Sequence, residues 1–220
     1  MNSILQPYCE GFKLTGTVQD DVTVFFTLHQ DIRTLDHTLQ VAREAQRIAE
    51  LYDASIADIV VQAALLHDIS NVIPVPRMLQ LAEGLSIEIL DDERQYARSV
   101  HQKLSKAMAE EIFEITNPDI LNAIESHTTH KPQASMVDKI LFVSDKISWN
   151  LPGEHAYLQE MRDKVNALEM DQAILIYLDT IWEQREKLKL VHPWLIGARE
   201  ELMVKVTPNN KENYICTIFV

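Results

Sequence analysis

The sequence predicts an all-α fold, a helical bundle with a C-terminal helical extension, and three observations carry that prediction. Glycine is scarce, 5 residues in 220, which is few for a sheet protein that needs many tight turns. Ala, Leu, Ile, Glu, Gln and Lys dominate the middle of the chain, a composition that leans helical. Apolar residues there recur at three- and four-residue steps, the period of a helix that buries one face. With 46% hydrophobic residues the chain can fill one sizeable core, so one main domain is expected.

Taken in order, Met1 to Asp31 is open between helix and strand. Gly11 and Gly16 interrupt the pattern, and Val22 to Leu28 is rich in β-branched and aromatic residues. The first clear helix runs from Asp36, with Val41, Ala45, Ile48 and Tyr52 on its apolar face. Ala57 to Ile69 reads as a buried helix, apolar over most of its circumference, which Pro74 and Pro76 end by opening a loop. A short segment around Met78 to Ala82 precedes a long helix from Gln95 to Ile115, striped by Val100, Leu104, Met108 and Ile112. Asn117-Pro118 supplies a cap and a first-turn proline for a helix through His127. Ser135 to Asp138 has capping-box form for a helix that passes Asp145. Three further helices, Tyr157 to Leu168, Asp171 to Leu190 and Trp194 to Val204, form the extension. Residues from Pro208 make a tail in which Tyr214 to Val220 could add an edge strand. The expected division is an N-terminal segment 1–33, a core domain 34–152, a helical extension 153–204 and a tail 205–220.

Charge excludes one class of partner. A formal net charge of −13 repels a phosphate backbone, and no basic cluster offsets it, so nucleic-acid polymers are not expected. A small phosphorylated substrate is still compatible, because a bound divalent cation dominates its local field. Cys9 and Cys216 form no CxxC pair and read as reduced bystanders. MNSILQPYCEGF lacks the pattern of a cleaved leader, and no apolar run reaches membrane-spanning length, so no membrane association and a cytoplasmic location are expected.

Five of these helices each place a metal-capable side chain beside an apolar stripe: His37, then His67 and Asp68, then His101, His127 and Asp145. Imidazoles and carboxylates turned toward a core are costly to bury unless something pairs them. A lone core histidine is commonly a hydrogen-bonded structural residue, but four His and two Asp on separate helices suit one mixed nitrogen and oxygen site for a transition metal. An all-helical interaction protein with incidental histidines remains an alternative, and it binds no stoichiometric metal.

The order His37, His67-Asp68 in LLHDIS, and Asp145 in LFVSDK resembles the signature of the HD-domain metal-dependent phosphohydrolases. His101 in SVHQKLSKAMAEEIFEI and His127 in NAIESHTTH narrow the likeness to the YqeK-like bacterial symmetrical dinucleoside-tetraphosphate hydrolases. The resemblance covers about Thr34 to Asn150. It implies an HD-domain helical bundle holding two divalent ions, iron foremost, with manganese or magnesium as alternatives. His37, His67, Asp68, His101, His127 and Asp145 are the implied metal ligands. Asp68 would bridge the ions and act with His67 in catalysis, and a metal-activated hydroxide would be the nucleophile. The reaction implied is hydrolysis of a phosphoester or phosphoanhydride bond of a nucleotide or dinucleoside polyphosphate. A module of the same fold that senses a nucleotide without turnover is the alternative.

The chain departs from the family pattern where substrate is chosen. Thr34 stands where the family typically has Arg, Asn71 where it often has Lys, and His130 where it usually has Gly. Candidate phosphate partners are Thr128, Thr129, Lys106 and Lys146. His130 is a loop histidine or a proton donor. Trp182 and Trp194 in the extension offer a surface for a homodimer.

Overall fold

The computed structural model describes residues 2–149 and 155–206, and among these all regular structure is helical. The segment left open between helix and strand is helix α1, Val18–Leu28. Thr17 caps it by accepting from the Asp20 backbone N–H, and Val22, Phe25 and Phe26 are buried on one face. Phe25 meets Phe12 and Phe113 edge to face, so tertiary burial decides against the β-branched preference.

Helix α2, Ile32–Tyr52, starts one turn before the expected Asp36. Asp31 accepts from the Thr34 backbone N–H at 3.1 Å and from its hydroxyl at 2.7 Å, which sets the start there. Helix α3 is Ala57–Leu66, ending before the expected Ile69. The chain then passes through His67 and Asp68 into a 3-10 turn, Ile69–Val72. Pro76 does not open a loop: it sits in the first turn of α4, Val75–Gly84, where its missing N–H costs nothing.

The long helix expected from Gln95 to Ile115 is broken. A turn at Asp91–Arg94 and a 3-10 turn at Ala97–Val100 precede α5, His101–Glu111. The apolar stripe reads across the break because a 3-10 turn and an α turn have nearly the same period. The break makes His101 the first residue of α5.

Asn117 caps α6, Pro118–Ser126, and the capping box closes reciprocally at α7, Met136–Ile147. There Ser135 N–H donates to Asp138 Oδ2 at 2.7 Å, and Asp138 N–H donates to Ser135 Oγ at 3.2 Å. The extension consists of α8, Ala156–Asn166, α9, Met170–Glu183, and α10, Pro193–Val206. Helix α9 stops at Glu183 rather than Leu190, and a 3-10 turn at Arg185–Lys187 follows. Tyr214 to Val220 and Cys216 lie outside the described residues.

Helix α2 packs on α3 and α7, α6 lies between α5 and α7, and α9 joins α8 to α10. One buried apolar cluster runs from Leu5 to Leu202. The extension is tied to it by polar contacts. Tyr52 donates its hydroxyl to Val165 O at 3.0 Å, and Lys139 pairs with Asp171 at 2.6 Å. Before α10, His192 is buried with its Nε2 3.4 Å from Glu93 Oε1, and Lys103 Nζ holds Glu93 Oε2 at 2.7 Å. Trp182 lies under the guanidinium groups of Arg185 and Arg199, and Trp194 packs on His192. No single helix among the described residues is long and apolar enough to cross a membrane.

Candidate metal centre

Helix ends build most of the centre. His67 follows the last turn of α3, with Asp68 next to it. His101 opens α5 and His127 closes α6. His37 and Asp145 come from within α2 and α7. In three of these histidines the ring is held by the carbonyl three residues earlier. His67 Nδ1 lies 2.7 Å from Ala64 O, His101 Nδ1 lies 2.8 Å from Arg98 O, and His127 Nδ1 lies 2.7 Å from Ile124 O. A carbonyl only accepts, so Nδ1 carries the proton in each ring and Nε2 turns a lone pair inward.

One of those inward lone pairs lacks any protein donor. His67 is wholly buried, and its Nε2 has no hydrogen-bond partner. His101 Nε2 and His127 Nε2 face one another at 3.1 Å, a repulsive pairing unless a cation sits beside them. Asp68 spans the group: Oδ2 is 3.6 Å from His67 Nε2, while Oδ1 is 3.6 Å from both His101 Nε2 and His127 Nε2. Asp145 Oδ1 is 3.1 Å from His37 Nε2 and 3.7 Å from His67 Nε2. Three triads, His37-His67-Asp68, His67-His127-Asp145 and Asp68-His101-His127, bring ligand atoms within 4.8 Å of one another. Neutral imidazoles and carboxylates converging at that spacing fit a divalent cation.

The electrostatics differ across the group. Burial, then the neighbouring His127 and Arg98, push His101 down to about 3 against the pull of Asp68. Burial also lowers His67. Burial alone would lower His37, but its hydrogen bond to Asp145 and the charges of Asp145 and Asp68 outweigh that and raise it. Asp68 and Asp145 resist burial, which acts to protonate them. The His67 imidazole and further His contacts hold Asp68 well below the carboxylate range, and Lys146 with His37 does so for Asp145. Both carboxylates are therefore ionised at neutral pH, the state in which they can take a metal.

The expected substrate contacts fare differently. Thr128 lies at the centre, its Oγ1 3.1 Å from His101 Nε2. Gln102 pins the turn, accepting from Thr128 N–H at 3.1 Å and donating to Thr129 Oγ1 at 3.3 Å. The Thr129 hydroxyl donates to His130 O. Lys106 pairs with Glu125 at 2.7 Å and lines a separate groove that contains none of the six cluster residues.

Lys146, expected as a substrate contact, is 1% exposed. Its ammonium donates to Asp145 Oδ2 at 2.6 Å and to His127 O at 3.3 Å. Phe142, Trp149 and Tyr177 enclose it. It therefore holds Asp145 Oδ2 from behind, while Oδ1 accepts from Trp149 Nε1 at 3.1 Å and faces His37 and His67.

His130 is buried, packed on Phe142, and pushed down to about 4 by burial, so at neutral pH it is a neutral imidazole rather than an imidazolium acid. Its φ of +58° lies in the left-handed region that glycine favours.

Sequence reasoning missed Arg98. It donates Nη2 to Asn71 Oδ1 at 3.2 Å, its carbonyl orients His101, and its charge acts on that ring. The available signal was its place three residues before His101, hidden by the assumption of a continuous helix.

An all-α bundle that turns four imidazoles and two carboxylates onto one centre defines a metal-binding helical domain. The chain belongs to the HD domain family, whose profile matches residues 34–150, and it is a hydrolase of that superfamily. A Lactococcus lactis subsp. cremoris protein described as an uncharacterized protein in the pepC 5' region is 41% identical over 140 residues. That match covers 64% of this chain and 70% of the relative. The symmetrical bis(5'-nucleosyl)-tetraphosphatase of Staphylococcus aureus is 28% identical over 151 residues, covering 65% of this chain and 76% of the relative. A solved structure from Clostridium acetobutylicum, described as a predicted HD superfamily hydrolase involved in NAD metabolism, is similar with a TM-score of 0.74 and 27% identity. It covers 84% of this chain and 97% of its own.

Proposed function

We propose that this chain hydrolyses a phosphoanhydride or phosphoester bond of a nucleotide, with a symmetrical dinucleoside tetraphosphate as the leading substrate. His37, His67, Asp68, His101, His127 and Asp145 would hold two divalent cations. The observation that carries this reading is the set of inward Nε2 lone pairs with Asp68 between them, one carboxylate oxygen toward His67 and the other toward His101 and His127. Bound divalent cations supply an activated water and polarise the phosphoryl oxygen under attack. The Thr128 hydroxyl stands beside His101 to orient a substrate oxygen, and the Arg98 guanidinium supplies positive charge for phosphate on that side. The relatives named as symmetrical tetraphosphatases support the substrate class.

A competing reading, nucleotide sensing without turnover, draws on the neutral Thr34 and Asn71, where the family pattern that the sequence resembles has Arg and Lys. Arg98 weakens it, because Asn71 holds a guanidinium beside the centre. The test is a panel assay of metal-loaded protein on dinucleoside tetraphosphates, nucleoside diphosphates and deoxynucleoside monophosphates. Conversion of the tetraphosphate to two nucleoside diphosphates is the expected result. Absence of turnover across the panel, with metal bound, would leave the sensing module.

A further inference from the structure

The cleft next to the His37 and Asp145 end of the centre is basic in an acidic chain. It encloses about 540 Å³ between α2, the end of α7 and α8, and Gln40, Arg43, Glu44, Arg47, Ser148 and Arg162 line it. Three guanidinium groups face one carboxylate there, while the whole chain carries −13. Glu44 neutralises Arg47 through both carboxylate oxygens, with the shortest contact 2.7 Å. Arg162 donates to Ile147 O at 2.5 Å. Arg43 is exposed and has no hydrogen bond or ion pair among the described residues, so its charge is available to a ligand.

Helical register places the cleft relative to the centre. Gln40 and Glu44 follow His37 by three and seven residues on α2, which is one face of the helix. Ser148 follows Asp145 by three. The cleft therefore begins about 5 Å, one turn, from two of the proposed ligands, and Arg43 and Arg47 lie about 9 and 15 Å along the helix axis from His37. Volume, charge and reach together match the anionic chain of a nucleotide polyphosphate better than a single phosphate group.

We infer that this cleft binds the polyphosphate chain and remote nucleoside of the substrate whose scissile bond lies at the metal centre, with Arg43 as its free phosphate ligand. This rests on the proposed function and extends it to the part of the substrate that does not react. Such a site selects long substrates by binding, and it contributes little to short ones.

The test compares metal-loaded wild type with Arg43→Ala on a dinucleoside tetraphosphate and on p-nitrophenyl phosphate. Loss of one arginine-phosphate contact should raise KM for the tetraphosphate about tenfold or more, with kcat held and the rise confined to the long substrate. Inorganic tripolyphosphate should inhibit tetraphosphate hydrolysis competitively and do so less well in the variant. An unchanged KM, or an equal loss on both substrates, would overturn the assignment. If no phosphate compound is hydrolysed, the reading of the centre fails, and the cleft is judged separately by calorimetric binding of tripolyphosphate. Weaker binding by Arg43→Ala would support it, and equal binding by both proteins would overturn it.

Discussion

Replacing His67 or Asp68 with Ala is expected to remove metal binding and turnover together. His67 is the wholly buried ring whose Nε2 lacks a protein partner, and Asp68 is the group placed to reach both halves of the cluster. A catalytic cation contributes several kcal/mol of transition-state stabilisation, and each ~1.4 kcal/mol is a factor of ten. The expected fall in kcat/KM is therefore about 1,000-fold or more. Asp68→Asn separates chemistry from shape, since it keeps the volume and removes the charge. Elemental analysis, steady-state rates and circular dichroism on each variant check the result. Full activity in a folded His67→Ala or Asp68→Ala protein would sink the mechanism.

Lys146→Met is expected to cost the metal-free protein about 3–5 kcal/mol of unfolding free energy, the usual penalty for leaving one member of a buried ion pair alone. Asp145 would keep His37 and Trp149 on Oδ1, but its Oδ2 would lose its 2.6 Å partner. With metal bound, the cation supplies the counter-charge and the loss should be smaller. The pH dependence has a definite sign. The partnership with Asp145 raises Lys146 above its ordinary 10.5 despite burial, so its contribution is present below that pH and lost as pH rises through the raised value. Asp145 is held below its ordinary 3.8, so its contribution is present above that pH and lost in acid. The deficit should be widest between these limits and narrow toward both. Urea unfolding with and without metal, at several pH values, reads it. An equal deficit in both states would mean that Asp145 does not take a cation.

These expectations show which parts of the molecule the sequence carried in legible form. The six centre residues were readable because each stood beside an apolar stripe, and the capping signals at Asn117 and Ser135 were local chemistry that the structure reproduces. The break before α5 was not readable from the apolar period, and beside it buried Glu93 meets Lys103 and His192. Missing it hid how His101 is oriented and left Arg98 unnoticed. The burial of Lys146 was hidden for a related reason. Adjacency to Asp145 shows proximity in the chain, but the aromatic enclosure by Phe142, Trp149 and Tyr177 comes from two parts of the fold. His130 was legible only as an exception to a glycine, and the positive φ explains why glycine suits that position.

The central claim is that the inward histidines and aspartates hold divalent metal. Elemental analysis of protein purified without chelators, quantified against protein concentration, tests it most directly. Near-stoichiometric iron, manganese or a similar transition metal, approaching two ions per chain, is the expected result. Absence of metal, persisting after anaerobic reconstitution with iron or manganese, would contradict it.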